Sequence, residues 1–225
     1  MANRAFRSRR GLVGGLALLV ATGLGTVGLS GCGAPAYNYV TDSAAKTYYK
    51  VPHGWHSVSQ SALNNVLTGG QPANPNIWMA GFDADFKPSA DRASSFTVSK
   101  PFAFSVVIQL STDATNSLSY NTMRDFLLPV TAQQRQSVAA AGSSGLSDFK
   151  QIRDDTITSR GGIHGVRETF QYTLQGVADT WDEAVLTNAN ETVVYFLMVH
   201  CTNSCYRQNQ ADINTVMSSF TVGSS

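Results

Sequence analysis

Residues Thr192 to Cys201, TVVYFLMVHC, place seven apolar or aromatic side chains in a row, from Val193 to Val199. The run has no polar alternation, and β-branched and aromatic types dominate it. It therefore predicts a strand buried on both faces, and so a central one. Other strands must flank it. Trp78, Ala80, Phe82, Ala84 and Phe86 alternate with Met79, Gly81, Asp83, Asp85 and Lys87, which predicts a strand with one wet face. Phe102, Phe104, Val106, Ile108 and Leu110 alternate with Ala103, Ser105, Val107 and Gln109 in the same way. Val166, Phe170, Tyr172 and Leu174 alternate with Arg167, Thr169, Gln171 and Thr173, and Glu168 falls on the apolar side of that series. A carboxylate there calls for a partner, an edge position or a bulge. Arg160-Gly161-Gly162 reads as the turn of a hairpin whose other arm runs through Ile157. Trp181 to Thr187 completes the strands.

Helical spacing is rarer. Ile213, Val216, Met217 and Phe220 make one apolar stripe near the C-terminus. Tyr120, Met123 and Leu127 make a shorter one before Pro129 stops it. Thr131-Ala132-Gln133-Gln134 has the form of a capping box opening a helix that runs to Gly142. Strands joined by short turns, with helices grouped apart, predict an α+β fold on a mainly antiparallel sheet. The hydrophobic share of 43%, with 10% aromatic residues, excludes a disordered chain.

The first 31 residues follow other rules. Arg4, Arg7, Arg9 and Arg10 precede an uncharged, glycine-diluted apolar stretch from Gly11 to Leu29. This is the anatomy of an export signal, with a retained transmembrane helix as the alternative. Leu29-Ser30-Gly31-Cys32 resembles the lipobox of bacterial lipoproteins. That resemblance implies a diacylglyceryl group on the Cys32 thiol and cleavage ahead of it. Two acyl chains suffice for stable anchoring, at about 0.8 kcal/mol per buried CH₂. Ser8-Arg9-Arg10-Gly11-Leu12-Val13 resembles a twin-arginine motif without its usual Phe and Lys, so the export route stays open. The expected organisation is a removed signal peptide (1–31), a lipidated flexible tether (32–45) and a single domain (46–222). The tether spans on the order of 20 Å.

Removing the leader changes the charge. Four of the 16 basic residues and none of the 15 acidic ones lie in residues 1–31. The remaining 194 residues carry 12 against 15, a balance of −3. A mildly acidic chain without a basic stripe is a poor nucleic-acid binder. It has no polybasic run for anionic lipid either, so the expected membrane contact is the lipid on Cys32 and little else.

YYKVPHGW (48–55) resembles the opening of the PsbP-like family, and GGIHGVRETFQYT (161–173) resembles that family's glycine turn and following strand. TVVYFLMVHC and INTVMSSFTV resemble its closing strand and last helix. The resemblance implies an α/β/α sandwich around a central antiparallel sheet, in proteins that often serve as accessory or assembly factors. The plan of lipobox, short tether and one domain is also similar to actinobacterial Lpq-type cell-envelope lipoproteins. No functional residue carries over from either.

Beside Cys32 the chain has Cys201 and Cys205, in HCTNSC. In an oxidising compartment an isolated pair reads as a disulfide, here tying the central strand to the last helical region across a turn at Thr202 to Ser204. A redox pair or a metal site with His200 are the alternatives, and neither has the right spacing or ligand number. His53 and His56 flank Trp55 without acidic neighbours to complete a metal site, so they read as surface histidines. Asp83, Asp85, Asp154 and Asp155 read as solvated faces, and Asp182 and Glu183 have no evident partner. GSSG (142–145) reads as a linker. No nucleophile motif, zinc motif or phosphate loop is present, and no cofactor is expected. An enzyme would need scattered Ser, His and Asp side chains to meet in space. The expected role is therefore a non-catalytic partner-binding or accessory protein on the extracytoplasmic face of the cell membrane. A carrier holding a small or hydrophobic ligand between sheet and helices is the alternative.

Overall fold

The computed structural model describes residues 36–142, 145–159 and 161–223. The leader, Cys32 and the hairpin residue Arg160 lie outside them. The chain forms β1 (Tyr37–Asp42), β2 (Thr47–Pro52), β3 (His56–Val58), α1 (Gln60–Thr68) and β4 (Ile77–Asp83). A short 3₁₀ helix (Ala90–Ala93), β5 (Phe102–Gln109), α2 (Thr112–Ser117), α3 (Tyr120–Arg124) and α4 (Ala132–Ala140) follow. Then come β6 (Leu146–Thr158), β7 (His164–Leu174), β8 (Val177–Thr187), β9 (Val193–Thr202), α5 (Asn203–Gln208), α6 (Gln210–Ser218) and β10 (Thr221–Val222).

Seven strands pair in the order β3-β4-β5-β9-β8-β7-β6, every pair antiparallel, and β1-β2-β10 make a smaller sheet. The uninterrupted apolar run is β9, at the centre, with Val193 to Cys201 buried along its whole length. One face of the large sheet is covered by α6, which packs on β8 and β9 and also on β2 of the small sheet. The other is covered by α1 and the 3₁₀ helix over β4 and β5, and by α3 over β7 and β8. Phe104, Phe196, Met198, Val166 and Phe170 fill the interior on this second side. Glycine is required in two places, once between the sheet and α1 and once between neighbouring strands. A Cβ on Gly81 would lie 2.8 Å from Leu63 Cδ1 of α1, and one on Gly165 would lie 2.0 Å from the Val185 carbonyl oxygen.

Four expectations are corrected. Residues 37–42, expected within the flexible tether, form β1, held to β2 over its full length. β5 has no wet face, because β2 covers the side expected to be solvated: the hydroxyls of Tyr49 and Ser105 meet at 2.8 Å. β4 stops at Asp83 rather than running to Lys87, and Met79, Gly81 and Asp83 are its buried set, with Trp78, Ala80 and Phe82 half-buried on the other face. Thr202 to Ser204, expected as a turn, leads directly into α5.

Capping explains the short helices. Ser59 Oγ accepts from Ala62 N to open α1, and Gly69 closes it at φ 66°. Ser119 and Thr122 form the capping box of α3. Thr131 Oγ1 accepts from Gln134 N at 3.2 Å to start α4.

Candidate functional site

The register of the large sheet lines up two rows of side chains on the face under α1, the 3₁₀ helix and α3. The first row runs Asp83, Phe102, His200, Trp181, Phe170 across five strands, and the second runs Gly81, Phe104, Met198, Glu183, Glu168. Five fully or nearly fully buried titratable or polar groups therefore stand among phenylalanines, the place where ionisable chemistry is most perturbed.

The first row is closed by the 3₁₀ helix. Arg92 Nη1 donates to both oxygens of Asp83 at 2.9 Å and approaches Asp85 Oδ2 at 3.2 Å. The Arg92 carbonyl oxygen faces His200 Nε2 at 2.8 Å, and His200 Nδ1 faces Asp179 Oδ2 at 2.8 Å. A carbonyl only accepts, so Nε2 carries a hydrogen and a further proton lies between Nδ1 and Asp179. Burial pushes the Asp179 carboxyl up, against the pull of the His200 contact. The Trp181 ring stacks on the imidazole at 4.1 Å and 13°. This histidine–aspartate pair has the contacts of a general base, but both residues are 0% exposed and each imidazole nitrogen is engaged inside the protein. Its chemistry is to lock the 3₁₀ helix onto the sheet.

The second row ends in two carboxylic acids. Glu168 and Glu183 are directly opposed on β7 and β8, on one face, both 0% exposed. Gln151 Nε2 donates to Glu168 Oε1 at 2.9 Å. Among the described residues, Glu168 Oε2 and both oxygens of Glu183 have no hydrogen-bond partner. Burial raises Glu168 to about 7 against the Gln151 bond, and burial next to Glu168 raises Glu183 well above the ordinary carboxylate range. Arg124 of α3 stands at the rim. Its Nε lies 3.9 Å from Glu168 Oε1, and its guanidinium is taken up by Asp154 at 3.0 Å. The opposed β6 strand has register shifts between Ser147/Lys150 and Gln151/Arg153, which bring Gln151 round to Glu168. Glu168 on the apolar side of its strand is the one sequence signal that pointed to this pair, and it has both the partner and the neighbouring bulge that such a position demands.

The remaining sequence-flagged residues are dispersed. His53 and His56 are exposed on either side of buried Trp55. Asp83, expected on a solvated face, is fully buried in its ion pair with Arg92. Asp154 and Asp155 are exposed on β6. Asp182 is held by Arg167 at 3.1 Å and by the Tyr206 hydroxyl at 2.9 Å, on the opposite face of the sheet from Glu183. Cys201 and Cys205 are joined, Sγ to Sγ at 2.15 Å, tying the end of β9 to the first turn of α5. No group of three or more metal-ligating side chains is found among the described residues.

Two surface features lie at opposite ends of β4. An open cleft of about 420 Å³ lies between α1 and the loop before β4. Exposed Gln60, Asn65, Gln71 and Asn74 line its mouth, and Asn64, Ile77 and Met79 lie deeper. Asn64 Nδ2 donates to the Gln71 carbonyl at 2.8 Å and braces the loop. At the far end of β4, Phe86 is 78% exposed.

No family model matches the chain. Among curated proteins, a Caenorhabditis elegans protein sidekick homolog is 25% identical over 141 residues, 60% of this chain. The chain spans only 6% of that protein's length. Among solved structures, the cyanobacterial PsbP protein CyanoP of Synechocystis sp. PCC 6803 is similar over 89% of this chain and 99% of its own, with a TM-score of 0.53 and 14% identity. The Saccharomyces cerevisiae Ran-binding protein Mog1p aligns over 84% of this chain and 96% of its own, with a TM-score of 0.44 and 7% identity. LpqN of Mycobacterium tuberculosis, described as involved in cell envelope biogenesis, aligns over 83% and 90%, with a TM-score of 0.37 and 11% identity. The likeness to CyanoP shows the fold, a PsbP-like α+β arrangement with a mainly antiparallel sheet.

Proposed function

We propose that this chain is a lipid-anchored protein of the extracytoplasmic membrane face that acts by binding an envelope protein, as an accessory factor rather than a catalyst. The observation that carries the reading is Leu29-Ser30-Gly31-Cys32, a small-residue tetrapeptide ending in cysteine behind a basic head and an apolar run. The Cys201–Cys205 bond supports it, since such bonds persist in oxidising compartments.

The α1–β4 cleft supplies the recognition surface. The exposed amides of Gln60, Asn65, Gln71 and Asn74 around apolar Ile77 and Met79 are the make-up of a protein-recognition patch, offering donors and acceptors for a partner's backbone. The buried acids and the His200–Asp179 pair serve the interior instead. The carrier alternative gives way because Phe104, Phe196, Met198 and Phe170 occupy the space between sheet and helices where a ligand would lie.

The test is a photo-crosslinking side chain installed at Asn65, at Gln71 and, on the far edge strand, at Asp155, each in the full-length protein in intact cells. The reading expects one and the same envelope protein to be captured from positions 65 and 71 and not from 155. Capture of the same protein from all three positions, or no adduct from 65 and 71 while the protein is present at the membrane, overturns the cleft as the binding surface.

A further inference from the structure

Phe86 was expected to face inward on a strand, and the structure places it 78% exposed at the tip of a loop. That loop is rigidly built. Asp83 Oδ1 accepts from Asp85 N at 2.9 Å, Asp83 Oδ2 accepts from Ser89 N at 3.0 Å, and Asp85 Oδ1 accepts from Lys87 N at 2.9 Å. Arg92 neutralises Asp83 and Asp85 from behind. A loop backbone held this firmly presents its ring with little further ordering of the chain, so an apolar surface that covers it keeps more of the burial free energy.

The position of the loop indicates which surface that is. The Ala36 carbonyl accepts from His53 N at 3.0 Å, His56 is the register partner of Asp83, and Phe86 lies three residues further on. The point where the chain enters the domain and the Phe86 loop are thus at one end of the molecule. Only Gly33 to Pro35 separate Ala36 from Cys32, a span of at most about 14 Å when extended. An anchored Cys32 therefore holds this end against the bilayer. Lys87, whose Nζ sits 5.5 Å from the centre of the Phe86 ring, and Lys100, close enough to act on Asp85, are both exposed there. An aromatic tip with cations beside it matches the boundary between acyl chains and anionic headgroups.

We infer that the Phe86 loop is a second membrane contact, inserting its ring into the headgroup–acyl boundary beside the lipid on Cys32 and so fixing the orientation of the domain. The inference rests on the lipid anchor proposed above. It also departs from the expectation that the membrane contact is the lipid and little else, because the added term is apolar and needs no polybasic run.

The experiment uses the full-length, processed protein carrying a spin label at Phe86→Cys, at Lys87→Cys or at Asn190→Cys, reconstituted into phosphatidylglycerol–phosphatidylethanolamine vesicles. Asn190 is exposed between β8 and β9, at the other end of the sheet. Intact mass first reads whether Cys32 is acylated in each sample, and thermal melts confirm that each variant keeps the parent's transition. With the acyl group present, the label at 86 is expected to gain collisions with oxygen and lose collisions with a water-soluble nickel chelate, relative to 190, and the label at 87 to follow in part. Equal accessibility at 86 and 190 on acylated protein overturns the membrane contact and leaves the anchor standing. Dipolar broadening between labels at 86 shows that a second copy covers the ring, and overturns it too. Absence of the acyl group overturns the anchor itself, and the loop contact with it.

Discussion

A carboxyl group buried with neither oxygen hydrogen-bonded holds its proton, and among the described residues Glu183 is in that position, with Glu168 facing it on the neighbouring strand. The consequence is a stability that depends on pH in the direction opposite to an ion-paired acid. Glu168 moves from 4.5 to about 7 on folding, so the folded state binds a proton that the unfolded chain has released. The contribution is fully present below pH 4.5 and is lost as pH rises through 7, a change of about 3 kcal/mol. Thermal melts are expected to peak on the acid side and fall between pH 5 and 7.5. Glu168→Gln should flatten that slope, and Glu183→Gln should match the parent at pH 4.5 and exceed it at pH 8. A parent that gains stability across pH 5 to 7.5 contradicts the assignment. Asp83 shows the other way to bury a carboxylate: it receives Arg92 and two backbone N–H groups.

At the scale of elements, the Cys201–Cys205 bond joins the last turn of the most deeply buried strand to α5, which packs on β8 and β9. Closing so short a loop contributes about 2 kcal/mol, or roughly 4–8 °C in melting temperature for a chain of this size. Cys201→Ser should lower the melting temperature by that amount in oxidising buffer, while reductant should lower the parent and leave the variant unmoved. Identical melting of parent and variant contradicts a stabilising role. The strands themselves were legible in proportion to how apolar they are. β9 could be read outright, because seven apolar side chains in a row fit little else at that length. β4 and β5 were found as strands but misread in facing, since alternation marks a wet face only where nothing covers it, and β2 covers one side of β5. β1 (YNYVTD) and α1 (QSALNNVLT) are too polar to announce themselves. Pairing with β2 makes the first, and the cap at Ser59 with Leu63 packed over Gly81 makes the second. Of the polar interior, only Glu168 was visible, by sitting on the wrong side of an apolar series. The His200–Asp179 and Arg92–Asp83 contacts join residues 21 and 9 positions apart, and only the sheet register brings the first pair together.

At the scale of the molecule, β4 separates two surfaces with different chemistry. The Phe86 loop and the chain entry are at one end, and the amide-rimmed cleft opens beside the strand's beginning, about 20 Å away along its length. An anchored domain seated on the Phe86 end presents the cleft away from the bilayer, where an envelope partner can reach it. β1 takes residues 37–42 out of the expected 14-residue tether, so a lipid on Cys32 would hold the domain close to the membrane. All of this depends on Cys32 carrying lipid. Mass analysis of the N-terminal peptide from native, membrane-extracted protein reads that point directly. The account predicts a chain that begins at Cys32 with a diacylglyceryl group on its sulfur. A free thiol at that residue, or a leader still joined to it, would contradict the account.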